Sequence, residues 1–156
     1  MMEEMQIYKV YPAIPEELSF LDYLAHNLWW CWNHEAIELF QRINPLQWEA
    51  IGKNPVAFLS NISQRRFEEL STDDSFLGHL ERVKAKFERM FSYVSQIQGI
   101  DLGPKETIAY FSMEFAIHQP LKIYSGGLGF LSGSHLRSAY ELKQNLIGVG
   151  ILWKYG

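Results

Sequence analysis

The sequence predicts an α/β chain in two parts, a helical region over 1–103 and the opening of a parallel α/β domain over 104–156. Three observations lead there. Apolar residues recur at intervals of three and four through the first hundred positions, the period of a buried helix face. The pattern stops at "QGIDLGP", Gln98–Pro104, where two glycines and a proline break regular structure. Beyond it come a short β-branched and aromatic run, a glycine turn, a helical stretch and a second apolar run, the order of a β–α–β unit.

The first element is expected as one long helix from Pro15 to Ile43. Leu18, Leu21, Ala25, Leu28, Trp32, Ala36, Leu39 and Ile43 form its apolar stripe. Pro15 suits a first turn, and the glutamates after it suit the positive end of the helix dipole. "NP" at Asn44–Pro45 should end it, because a residue before proline is pushed out of helical geometry. "NPVAFLSNIS" and "SQRRFEELS" then read as helices of one or two turns, bounded by turn residues. A second long helix starts at "STDDS", with Phe76, Leu80, Val83, Phe87, Met90, Val94 and Ile97 on its apolar face. "ERVKAKFER" supplies a solvated face with opposite charges three or four residues apart.

Past Pro104, "TIAYFSM" is expected as a buried strand. A helix over about Leu128–Lys143 follows, and "LIGVGILW" reads as a second buried strand parallel to the first. Two strands and one crossover helix leave sheet faces and edges open. The expectation is therefore of an N-terminal piece of a longer protein.

Composition narrows the function. Of 156 residues 47% are hydrophobic and 21% charged, which fits a folded globular chain and excludes disorder. A net charge of −4 argues against non-specific attraction to nucleic acid or an anionic membrane. The start, "MMEEMQIYKVYP", is acidic where a secretion signal needs basic residues, and the longest apolar run is too short to span a bilayer. A single cysteine, Cys31, rules out an internal disulfide and suits a reducing cytoplasm; it is expected as a small core residue. Trp29, Trp30 and Trp32 could stack on sugars, but on an amphipathic helix they are expected as core. His118 and His135 have no second ligand at metal spacing and are expected as structural or cleft-lining groups.

The informative stretch is "YSGGLGFLSGSHLRSA", Tyr124–Ala139. Glycines before a helix let the backbone approach a ligand or take positive φ, and the first helical N–H groups lack internal partners. An anion can be held there without lysine or arginine. Spacing alone decides little, since this is neither G-x-G-x-x-G nor a P-loop, and a tight packing turn stays open beside an anion site.

The neighbouring residues carry a resemblance. "YFSMEF" at Tyr110–Phe115, "YSGGLG" at Tyr124–Gly129, "SGSHLRSA" and "GVGILW", preceded by "LAHNLWWCWN" and "NPVAFL", resemble the α-glucan phosphorylases of the shorter bacterial and archaeal type. The resemblance runs from about Leu18 to the end. It implies the start of a Rossmann-like half of a two-domain GT-B fold, and phosphorolysis of terminal α-1,4 bonds by inorganic phosphate to give glucose 1-phosphate. It also implies pyridoxal phosphate, held by a lysine of the C-terminal half that this chain does not contain. Carried over to these positions, Gly127 would donate its N–H to the substrate phosphate. Gly126 would permit the turn, Leu128 would meet the glucose, and Glu114 would line the pocket near the sugar. No catalytic residue is assigned.

The implied partners are an α-1,4-glucan, inorganic phosphate and the missing C-terminal catalytic domain, with a homo-oligomer also compatible. Ser132 and Ser134 depart from the family's usual "AGDH", removing an acid from the helix. Two rival readings stay open: a glycogen or starch synthase-like enzyme, and a non-enzymatic helical module that binds a glucan or a subunit. The synthase is disfavoured because Tyr124 stands where its lysine is usual.

Overall fold

The computed structural model of the chain describes residues 11–92 and 106–153. It divides into two compact units, one through Ala85 and one from Lys86 onward. The expected boundary at Pro104, and the helix positions Val94 and Ile97, lie outside the described residues.

The first unit is helical. A 3-10 turn at Glu16–Leu18 leads into α1 (Phe20–Ala25), a 3-10 segment at Leu28–Trp32, α2 (His34–Ile43), α3 (Pro45–Ala50), α4 (Pro55–Leu59), α5 (Gln64–Leu70) and α6 (Asp74–Ser92), whose residues from Lys86 onward fall in the second unit. The single helix expected over Pro15–Ile43 is thus a broken series. Asn27 and Asn33 hold extended backbone, φ −117° and −110°, and the Asn27 side chain accepts the Trp29 N–H at 3.0 Å. Asparagine competes for backbone donors in this way, and so interrupts a helix while the apolar spacing runs on. The stripe still packs: Leu18, Leu21, Ala25, Ala36, Leu39 and Ile43 are buried. Leu28 is 45% exposed and Trp32 only half-buried, since on the 3-10 segment it is Trp29 and Trp30 that turn inward instead.

The later starts follow the sequence closely. Asn44, Asn54 and Ser63 accept the N–H of Gln47, Ala57 and Arg66, capping α3, α4 and α5. Pro45 and Pro55 take first helical positions, where a missing N–H costs nothing. Asp73 accepts from Ser75 and Phe76 and starts α6, whose Phe76, Leu80, Val83 and Phe87 are buried.

The core of this unit is aromatic. Trp48 is fully buried, stacked on Phe40 at 5.2 Å and met edge-on by Trp30 at 5.7 Å and Phe58 at 5.3 Å. Trp29 and Trp30 are buried, so these two tryptophans pack rather than face a sugar. Cys31 is half-buried, not the core residue expected.

Polar bonds stitch the helices. Arg66 donates to the Ile43 and Arg42 carbonyls, answering the open end of α2. Arg42 donates to Ser75 and lies 3.2 Å from Nδ1 of His79, which is 5% exposed. A guanidinium can only donate, so this His79 nitrogen accepts and the ring is neutral. Burial first, then the Arg42 and Arg82 cations, push the His79 pKa down, against the opposing Glu35 carbonyl and Glu38 carboxylate. The unfolded chain therefore takes the proton first. Stability is complete above the unfolded value of about 6.5 and falls as pH drops below it toward the folded value. The denaturant midpoint should be lower at pH 5 than at pH 7.5, and His79→Gln should flatten that drop; an unchanged slope in the variant contradicts this role.

The second unit holds β1 (Ile108–Phe111), α7 (Gly127–Glu141) and β2 (Leu146–Val149). The strands pair in parallel, Ile108 opposite Leu146 and Phe111 opposite Val149, through the crossover expected from the sequence. α7 packs closely against the segment after β1 through Gly133 and against Gly148 of β2 through Leu136. A Cβ on Gly133 would stand 2.1 Å from the Ala116 carbonyl oxygen, and one on Gly148 would strike Leu136 at 2.8 Å. The opposite face carries Ala109, Phe111, Ile147 and Val149, all exposed. The strands are therefore not buried as expected, since one helix covers one face and no other described element covers the second.

Candidate site at the glycine turn

The turn lies beyond the carboxyl end of β1, where α7 begins. In parallel α/β sheets, ligands collect at this end. An apolar groove lined by Phe111, Ser112, Met113, Val149, Gly150 and Ile151 opens at the ends of both strands.

The glycines divide into two kinds. Gly129 and Gly133 are dictated by packing: a Cβ on Gly129 would stand 2.5 Å from Tyr124 Cβ and 3.2 Å from Glu114 Oε2. Around Gly126 and Gly127 an added Cβ would meet nothing within 4 Å. Neither uses the left-handed backbone expected of such a turn. Gly126 is extended, φ −160°, and Gly52 is the glycine with positive φ among the described residues.

The amides are unequally used. Ser125 N–H and Gly126 N–H donate to Glu114 Oε2 at 3.2 and 3.4 Å, and the Ser125 hydroxyl donates to Oε1 at 2.9 Å. These bonds, led by the Ser125 amide and hydroxyl and joined by the Gly126 and Gly129 amides, hold the Glu114 carboxyl below the usual glutamate range. Phe130 N–H begins the helical ladder on the Gly126 carbonyl. No described group accepts from the Gly127 or Leu128 N–H, and Leu128 is 54% exposed. The turn therefore presents two open donors at the positive end of a fifteen-residue helix.

Of the four residues singled out from the sequence, Gly126, Gly127 and Leu128 stand together at this helix start, and the Glu114 side chain folds onto it. Sequence reading gave no role to Ser125, which bonds to Glu114 twice; a hydroxyl beside paired glycines was the available signal. Ser132 is fully buried, 2.9 Å from Ser112 Oγ, while Ser134 is exposed. His135 sits edge-on to Tyr110 at 5.0 Å and His118 is half-buried. No group of three or more His, Cys, Asp or Glu among the described residues could hold a metal, and no described helix is long and apolar enough to cross a membrane.

Pyridoxal phosphate needs a lysine amine to form its imine. Near the turn, Lys122 is exposed, while Lys143 lies over the Phe91 and Tyr140 rings at the other end of α7. The described residues thus do not form a cofactor site.

The family described as "Protein of unknown function (DUF3417)" matches residues 14–121, ending before the turn. Glycogen phosphorylase of Mycobacterium tuberculosis is 38% identical over 161 residues, covering 99% of this chain and 19% of that protein. Maltodextrin phosphorylase of Thermococcus litoralis is 38% identical over 98% of the chain and 18% of its own length. An uncharacterized protein of Methanocaldococcus jannaschii is 73% identical over 48 residues, 31% of this chain and 9% of that protein. The chain spans about one fifth of the length of the phosphorylases it matches. No solved structure matches.

Proposed function

The chain belongs to the DUF3417 family and is homologous to the N-terminal region of glycogen and maltodextrin phosphorylases, and from that premise we propose that it forms one wall of an α-glucan phosphorylase active site. In this reading β1, α7 and β2 open the Rossmann-like half of a GT-B fold. The remaining phosphorylase sequence covers the apolar face of Phe111, Ile147 and Val149 and supplies the other wall. Pyridoxal phosphate, which the relationship implies for a complete enzyme, would be held on that other part and not by the residues described here.

The observation that carries the proposal is the contrast among the glycines. Gly129 and Gly133 are fixed by the chain's own packing, but Gly126 and Gly127 face open space beside unused amides. A ligand gives those two positions their reason. Gly127 and Leu128 donate to orthophosphate, and the Leu128 side chain lies against the glucose. Fixed N–H dipoles need no reorganisation as charge develops, and an apolar rim excludes the water that would hydrolyse the bond instead. The glucosyl C1–O bond to the glucan breaks, a C1–O bond to phosphate forms, and the glucan oxygen takes the proton that the hydrogen phosphate gives up.

The test is a chimera in which this chain replaces the matching region of the Thermococcus litoralis maltodextrin phosphorylase. It should release glucose 1-phosphate from maltodextrin only when orthophosphate is added, while the 156-residue chain alone releases none. A chimera that folds and retains its cofactor but stays silent defeats the proposal.

A further inference from the structure

Resting on that reading, we infer that Glu114 is a positioning residue rather than a sugar contact: it takes the amides of Ser125 and Gly126 so that those of Gly127 and Leu128 are presented at the head of α7. Both carboxylate oxygens are already engaged, Oε1 by the Ser125 hydroxyl and Oε2 by two amides. A carboxylate committed to three donors at 2.9–3.4 Å has little to offer a pyranose hydroxyl.

The surroundings are arranged for this contact. Gly129 leaves room for it, since a Cβ there would press on Glu114 Oε2 at 3.2 Å and on its Cβ at 3.3 Å. The backbone of Glu114 is fixed from below, where Ser112 Oγ donates to its carbonyl at 2.9 Å. Ser112 Oγ in turn lies 2.9 Å from the buried Ser132 hydroxyl, which donates to the carbonyl of Leu128, the second residue of α7. The end of β1, the glutamate and the first turn of α7 are thereby tied together. Loss of the carboxylate would release Ser125 and Gly126, and the helix start would fray.

A carboxylate so close also sets a limit on the anion. It occupies the Ser125 side of the turn and repels a second negative charge there. An incoming phosphate is therefore confined to the Gly127–Leu128 side.

Two measurements decide the matter. In the isolated chain, the Ser125 and Gly126 amide resonances should move together with the Glu114 carboxyl as pH is lowered. In Glu114→Gln at neutral pH, the same two amides should exchange with solvent about tenfold faster. Amides indifferent to both the titration and the substitution overturn the inference. In the chimera, Glu114→Gln should raise KM for orthophosphate about tenfold and leave KM for maltodextrin unchanged. The reverse split makes Glu114 a sugar contact and also overturns it. If the chimera is inactive with Glu114 intact, the phosphorylase reading fails, and the amide measurements still decide whether Glu114 holds the turn.

Discussion

Replacing Trp48 by alanine should cost the helical unit about 3–5 kcal/mol, read as a fall in the denaturant midpoint with little change in slope. Trp48 is wholly buried and touches Phe40, Trp30 and Phe58, which come from three other segments of the chain. Removing it empties the centre of that cluster, and short helices around it cannot close the gap without losing their caps. Two controls sharpen the expectation. Leu46 stands on the same helix but is 84% exposed, so Leu46→Ala should change stability by less than about 0.5 kcal/mol. The Trp48 indole N–H meets no acceptor among the described residues, so a ring without that donor should be tolerated far better. Trp48→Phe is therefore expected to cost no more than about 1.5 kcal/mol. A Trp48→Ala loss as small as that of Leu46→Ala would mean that this cluster is not the core.

How much of this was legible depends on the kind of signal. The face of α6 was readable because Phe76, Leu80, Val83 and Phe87 repeat over about three turns, and the α2–α3 break because Asn44–Pro45 is a sharp local stop. Asn27 and Asn33 misled, since an asparagine on the polar side of a continuing stripe looks the same whether the helix runs through it or stops there. Trp48 drew no notice because its helix has six residues, too few for a period to show. The strands were expected buried from their apolar runs, but burial depends on what packs against a sheet, which composition does not encode.

The same limit applies at the turn. Paired glycines before a helix were enough to suggest an anion, whether or not packing explained them. Only the positions of neighbouring atoms separate Gly129, which Tyr124 and Glu114 require, from Gly127, which no described residue requires. The direction of the Glu114 side chain, eleven residues before Ser125, likewise had no counterpart in any local pattern.

The second large effect concerns the Gly127 amide itself. Gly127 is the first residue of α7, preceded by extended backbone at Gly126, and a Cβ there meets open space. Proline is favoured at that helical position and after such a residue, so Gly127→Pro deletes one N–H while keeping the fold. Gly127→Ala keeps the N–H and adds the same first carbon. The pair separates donor from shape. Losing one preorganised donor to a reacting anion lowers kcat by about 10²–10³.

The deciding measurement is thus glucose 1-phosphate release by the two chimeras, each carrying one of these substitutions. Gly127→Ala should stay within about fivefold of the parent, and Gly127→Pro should fall at least a hundredfold below it with unchanged thermal stability. Equal turnover by the two would mean that the backbone at the head of α7 does not hold the phosphate.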